Sequence, residues 1–242
     1  VFGSVHDCAG TDLAPGLVYY IVFLFSVTLH EAAHAWAAER GGDLTAYLGG
    51  QGSLDPPPHI RREPFGMVVL PLHSVAIAGW PFGFASAPYD PQWAMRYPRR
   101  AAWMALAGPA SNLLLVVIAF AVLKLGIGAD FFEAPSSVRF GHVVAATAGG
   151  WWPSIAFMIG ALFSMNLALA VLNLIPLPPL DGSAAVPLLL PPAASARYQQ
   201  FLWSQPFLAI IGMLIAWRIF GPVFQPLFIE AVHLLHPGTR YG

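Results

Sequence analysis

The chain has 242 residues, of which 57% are hydrophobic and 10% charged, and its mean hydropathy is +0.64. This is too apolar for an average soluble domain and points to an integral membrane protein. A formal net charge of −1 gives no basis for a nucleic-acid partner, and the single cysteine, Cys8, excludes an intramolecular disulfide and any cysteine-rich zinc site. The sequence opens at Val1, and no charged segment, short apolar run and small-residue cleavage site marks a signal peptide.

A helix needs about 20 apolar residues to cross a bilayer. Four segments meet that length, at about residues 15–37, 101–125, 153–175 and 205–235. The last is interrupted by Gly221, Pro222 and Pro226, so it reads either as one kinked helix or as a helix followed by an interfacial piece. Between the first two lies "FGMVVLPLHSVAIAGWPFG", Phe65 to Gly83, which is rich in proline and glycine. Arg40, Arg61 and Arg62 precede it, and Arg96, Arg99 and Arg100 follow. If it crossed the membrane, one basic cluster would face the wrong side. It is therefore expected to be re-entrant, or extended and tucked against the bundle. The expected fold is an all-α polytopic bundle of about four to six transmembrane helices with one short re-entrant or β-like membrane-associated segment, forming a single domain over residues 1–242. The first helix then runs from outside to inside, with Tyr19, Tyr20, Trp151 and Trp152 in an outer aromatic belt.

The first apolar helix ends in "TLHEAAHAWAAERGG". His30 and His34 are spaced i, i+4, so both imidazoles share one helix face and can reach one metal ion, with Glu31 placed to act on water. Ionisable groups at this depth each cost a few kcal/mol unless compensated, and zinc is the natural compensation. A catalytic zinc takes a third protein ligand. Asp181 in "NLIPLPPLDG" offers a carboxylate, although Asp-Gly is also a common turn pair. His34 lies six residues, or ~9 Å of helix, from Arg40. Asp181 and "GPASN" (Gly108 to Asn112) also fall at inner helix ends, so three polar groups of residues meet one depth.

"HEAAH", "ALAGPASNLLL" and "LNLIPLPPLDG", in that order and spacing, resemble the site-2 protease family of intramembrane zinc metalloproteases, in its compact form without a PDZ or CBS domain. The similarity covers roughly Leu29 to Leu235. The resemblance implies His30, His34 and Asp181 as ligands of one zinc ion and Glu31 as general base. It also implies Asn112 and Asn173 as residues lining the site, holding substrate backbone or the oxyanion. The expected activity is hydrolysis of peptide bonds in or near transmembrane segments of other membrane proteins. The expected location is the cell membrane, with the active site toward the cytoplasm and the lipid bilayer as surroundings. "DGS" departs from the commoner "DGG" at Ser183. The alternative is a non-proteolytic zinc protein, either a scaffold or a metal transporter. A transporter would carry further metal-binding residues across the bilayer, which the outer helix halves lack, and a scaffold has no use for Glu31. His59 reads as a solvated or capping loop histidine, and His73 as a neutral, hydrogen-bonded one. His6, His142, His233 and His236 fall at helix ends and loops, where exposure is the default.

Overall fold

The computed structural model describes residues 13–239 and Tyr241; Cys8 and His6 lie outside them. Four helices are long and apolar enough to cross a membrane: α1 (Leu13–Gly41), α6 (Pro98–Gly128), α7 (Trp152–Leu174) and α10 (Phe207–Leu235). Each expected span is present, with no end moved by more than four residues. The last is continuous through Pro222 and Pro226.

Helix α6 packs against both α1 and α7, and these three form the centre of the bundle. Lipid tails are as apolar as leucine, so close approach must come from small side chains rather than from hydrophobic burial alone. The sequence supplies them: Ala32, Ala35, Ala38, Ala102, Ala105 and Ala161 are all buried. Gly160 lies so close to the carbonyl of Gly141 that a Cβ there would overlap it. Leu123, Phe132, Val143, Phe163 and Phe228 close a core between α6, α7, α10 and a short antiparallel pair, β1 (Phe132–Glu133) and β2 (Ala145–Ala146).

The segment from Phe65 is helical as far as Ala78, which decides against the extended, β-like alternative over that stretch. It begins as one π-helical stretch, Phe65–Val69, and continues as α4 (Leu70–Ala78), ended by Gly79 at φ 76°. Chain in neither helix nor strand then runs from Pro81 to Asp90. Met67 is fully buried beside Val22, Phe23 and Val27 of α1, so this short element is covered by protein on one side, as a non-spanning segment in a membrane requires. The same connection between α1 and α6 also carries α2 (Thr45–Leu48), α3 (Pro56–Arg62) and α5 (Pro91–Arg96). After α7 come α8 (Asp181–Ala185), a 3-10 turn, and α9 (Pro192–Ser204).

Several side chains sit elsewhere than expected. Tyr19 and Tyr20 turn inward, their hydroxyls donating to the carbonyls of Phe140 and Met67, while Trp151 is exposed. His59 is buried on α3, not solvated, and its Nε2–H donates to the carbonyl of Ser53 at 2.9 Å. His73 is exposed. His236 is buried and donates to the carbonyl of Val143.

Candidate metal centre

Helix α1 places His30 and His34 one turn apart on a buried face, with ring centroids 4.6 Å apart. The opposing face of α6 carries Gly108, where a Cβ would overlap the Nε2 atoms of both rings. Glycine at 108 thus leaves the volume in front of the two nitrogens open. Asp181 arrives from the end of α7 by way of the Pro176–Pro179 loop, whose Pro178–Pro179 peptide is cis. Its Oδ2 lies 3.1 Å from His30 Nε2 and 3.4 Å from His34 Nε2, and the two Nε2 atoms are 3.0 Å apart. Tetrahedral zinc with bonds of about 2.0–2.1 Å sets its ligand atoms ~3.3 Å apart. The triangle fits that ion.

The tautomers fit as well. His34 Nδ1 faces the carbonyl of Met104 at 2.8 Å. A carbonyl only accepts, so Nδ1 carries the proton and the Nε2 lone pair faces Asp181 and His30. His30 Nδ1 lies 2.6 Å from Asn112 Oδ1 and is directed in the same way. Among the described residues, His30, His34 and Asp181 form the one group of three or more His, Cys, Asp or Glu side chains that could hold a metal ion.

These residues open onto a cavity of 660 Å³. Glu31 lines it, is buried, and has one carboxylate oxygen, Oε2, without a hydrogen-bond partner. Asn173 also lines it, its side-chain amide free of hydrogen bonds to the described residues. Asn112 does not. It is fully buried behind His30, on the side of the ring away from the cavity, where it orients the imidazole and has no access to a substrate. Ser183 turns away from Asp181: its hydroxyl donates to the carbonyl of Leu180, so the "DGS" variant stabilises the turn that carries the carboxylate.

Three features of the site were not anticipated from the sequence. The non-helical stretch Gly83–Ala87 forms one wall of the cavity. It is held by the Phe84 amide on the carbonyl of Gly66 and by Arg62 Nε on the carbonyl of Ser86. The amides of Ala85, Ser86 and Ala87 have no partner among the described residues. Helix α9 covers another wall with Tyr198, Gln199, Leu202 and Trp203. Asn166 of α7, fully buried, lies within hydrogen-bonding distance of Asn112. Asn166 stands seven residues before Asn173 and therefore on the same helix face; a polar side chain deep in an apolar helix was the available signal.

A model of peptidase family M50 matches residues 59–214, which include Asn112, Asn173 and Asp181 and follow the His30–His34 turn. The chain is 30% identical over 236 residues to "Putative zinc metalloprotease YwhC" of Bacillus subtilis, with 89% of this chain and 95% of that protein covered. Two proteins bearing the same description under the name Rip2 are also similar. That of Mycolicibacterium smegmatis is 31% identical, covering 87% of this chain and 70% of its own length. That of Mycobacterium tuberculosis strain H37Rv is 32% identical, covering 97% and 81%. No solved structure matches the chain.

Proposed function

The chain belongs to peptidase family M50, the site-2 protease family of membrane metalloproteases, and from that premise we propose that it is an intramembrane zinc endopeptidase cutting transmembrane segments of other membrane proteins. The observation that carries the reading is the convergence of His30, His34 and Asp181 on one point of a cavity that Glu31 also lines. In this reading the three side chains hold zinc, and the single domain spans the whole chain.

Bound zinc would supply Lewis-acid polarisation of the scissile carbonyl and lower the pKa of water toward about 7. Glu31 takes a proton from the attacking water and returns it to the leaving amine. The free carboxylate oxygen of Glu31 is the acceptor available for that proton. Asn173, with its amide unengaged on the cavity wall, is placed to hold the carbonyl oxygen as charge develops on it. A helical substrate hides its peptide bonds in its own hydrogen bonds and must unwind to react. The unpaired amides of Ala85, Ser86 and Ala87 provide an edge on which an unwound segment can pair as an added strand.

Arg40 at the end of α1, Arg62 at the end of α3 and Arg100 at the start of α6 are bonded to the carbonyls of Trp36, Ser86 and Gly41, and Ser86 lines the cavity. Under the positive-inside rule this supports a cytoplasmic active site and release of the cleaved segment toward the cytoplasm, the arrangement used in regulated intramembrane proteolysis.

The test is Glu31→Gln. The purified variant is expected to keep one zinc per chain while cleavage of single-span reporter proteins falls by at least about 100-fold. Undiminished cleavage removes Glu31 as the base, and a wild-type protein without stoichiometric zinc defeats the reading and favours a non-metal role for the cluster.

A further inference from the structure

His30 is held through a chain of amides that crosses all three central helices. Its Nδ1 meets Asn112 Oδ1 at 2.6 Å; Asn112 Nδ2 donates to Asn166 Oδ1 at 2.8 Å; Asn166 Nδ2 donates to the carbonyl of Leu162 at 2.8 Å and to Ser26 Oγ at 2.9 Å. The Ser26 hydroxyl in turn donates to the carbonyl of Val22 at 2.7 Å. Asn112, Asn166 and Ser26 are all fully buried, at 0% exposure, so no water competes for these groups.

The chain has a direction. An amide can present either its oxygen or its NH2 to a neighbour, and by itself Asn112 could face His30 with either. With NH2 toward Nδ1, the imidazole proton would move to Nε2, and the lone pair a metal needs would be lost. Two backbone carbonyls remove that freedom. Leu162 can only accept, so Asn166 must present its NH2 to it. Ser26 has already spent its proton on Val22, so it too can only accept from Asn166. Asn166 then has only its oxygen for Asn112, Asn112 has only its oxygen for His30, and His30 must carry its proton on Nδ1.

We propose that Asn166 is a positioning residue of the metal centre: it fixes the orientation of the Asn112 amide and thereby the His30 tautomer that leaves Nε2 free to bind metal. The inference rests on His30 being a metal ligand. The competing role is plain helix-to-helix adhesion, in which a buried amide adds stability and nothing more.

The two roles separate experimentally. Nitrogen-15 NMR of the ring in metal-free, detergent-solubilised wild-type protein at alkaline pH is expected to show His30 protonated at Nδ1; protonation at Nε2 overturns the proposal without any variant. Zinc affinity, measured by competition with a chelator, is expected to weaken by about 10–100-fold in Asn166→Leu, the range for lost outer-shell support of a ligand. It should recover most of that loss in Asn166→Asp, whose protonated carboxyl offers an O–H to Leu162 and an oxygen to Asn112. A lower unfolding temperature in both variants with unchanged zinc affinity and tautomer assigns Asn166 to adhesion and overturns the proposal. Failure of the wild-type protein to bind zinc counts instead against the zinc site itself.

Discussion

A single methyl group decides whether the space between His30 and His34 can be filled. At Gly108 an added Cβ overlaps both Nε2 atoms, and α1 and α6 pack too closely for either helix to withdraw freely. Gly108→Ala is therefore expected to lower zinc affinity by at least about 10-fold while costing about 1–3 kcal/mol through overpacking. Metal analysis and thermal unfolding of the purified variant check the two effects separately. The sequence made His30 and His34 legible because helix periodicity alone puts them on one face, with Glu31 beside them. It gave Gly108 no role beyond its place in "GPASN" and expected Asn112 to line the cavity, since what each meets belongs to another helix. Local periodicity carries no information about which partner a helix face will find.

At the scale of elements, the loop after α1 is fastened to the start of α5 by one carboxylate. Asp43 is buried and accepts from the amide of Thr45, its hydroxyl, and the amide of Asp90 at 2.8 Å. Burial pushes its carboxyl upward, yet the donors of Thr45 and Asp90 prevail and lower it. A lowered folded-state value means that ionised Asp43 stabilises the fold above the unfolded carboxyl value near pH 4. That contribution is lost as pH falls through the still lower folded value. Asp43→Ala is expected to destabilise by about 1–3 kcal/mol at neutral pH. The gap between wild type and variant in urea unfolding should close progressively below about pH 4. The long spans were legible to within a few residues because about 20 consecutive apolar residues have few other uses. The conformation of Phe65 to Asp90 was not. Its prolines and glycines announce a break, but whether a short apolar stretch coils or extends depends on the surfaces of α1 and α7 against which it lies.

For the whole molecule, the candidate ligands bind together distant parts of the chain, with His30 and Asp181 separated by 151 positions. A metal held by the folded protein and not by the unfolded chain adds RT ln(1 + [L]/Kd) to stability, about 4 kcal/mol at 1,000-fold excess over Kd. Removing zinc with a chelator is expected to lower the unfolding temperature by several degrees, and restoring zinc should reverse it. The same treatment of Asp181→Ala should produce little change, as measured by differential scanning fluorimetry in detergent.

The separation between His30 and Asp181 also bears on biosynthesis. A ribosome delivers α1 to the bilayer long before the Pro176–Pro179 loop and Asp181 exist, and chains are threaded at roughly 5–20 residues per second. Throughout that interval the growing polypeptide holds two imidazoles and a base but no third ligand. Under the proposed function, a newborn chain has no complete metal site, and so no means of cutting its neighbours, until α7 is in place and its trailing loop has folded back.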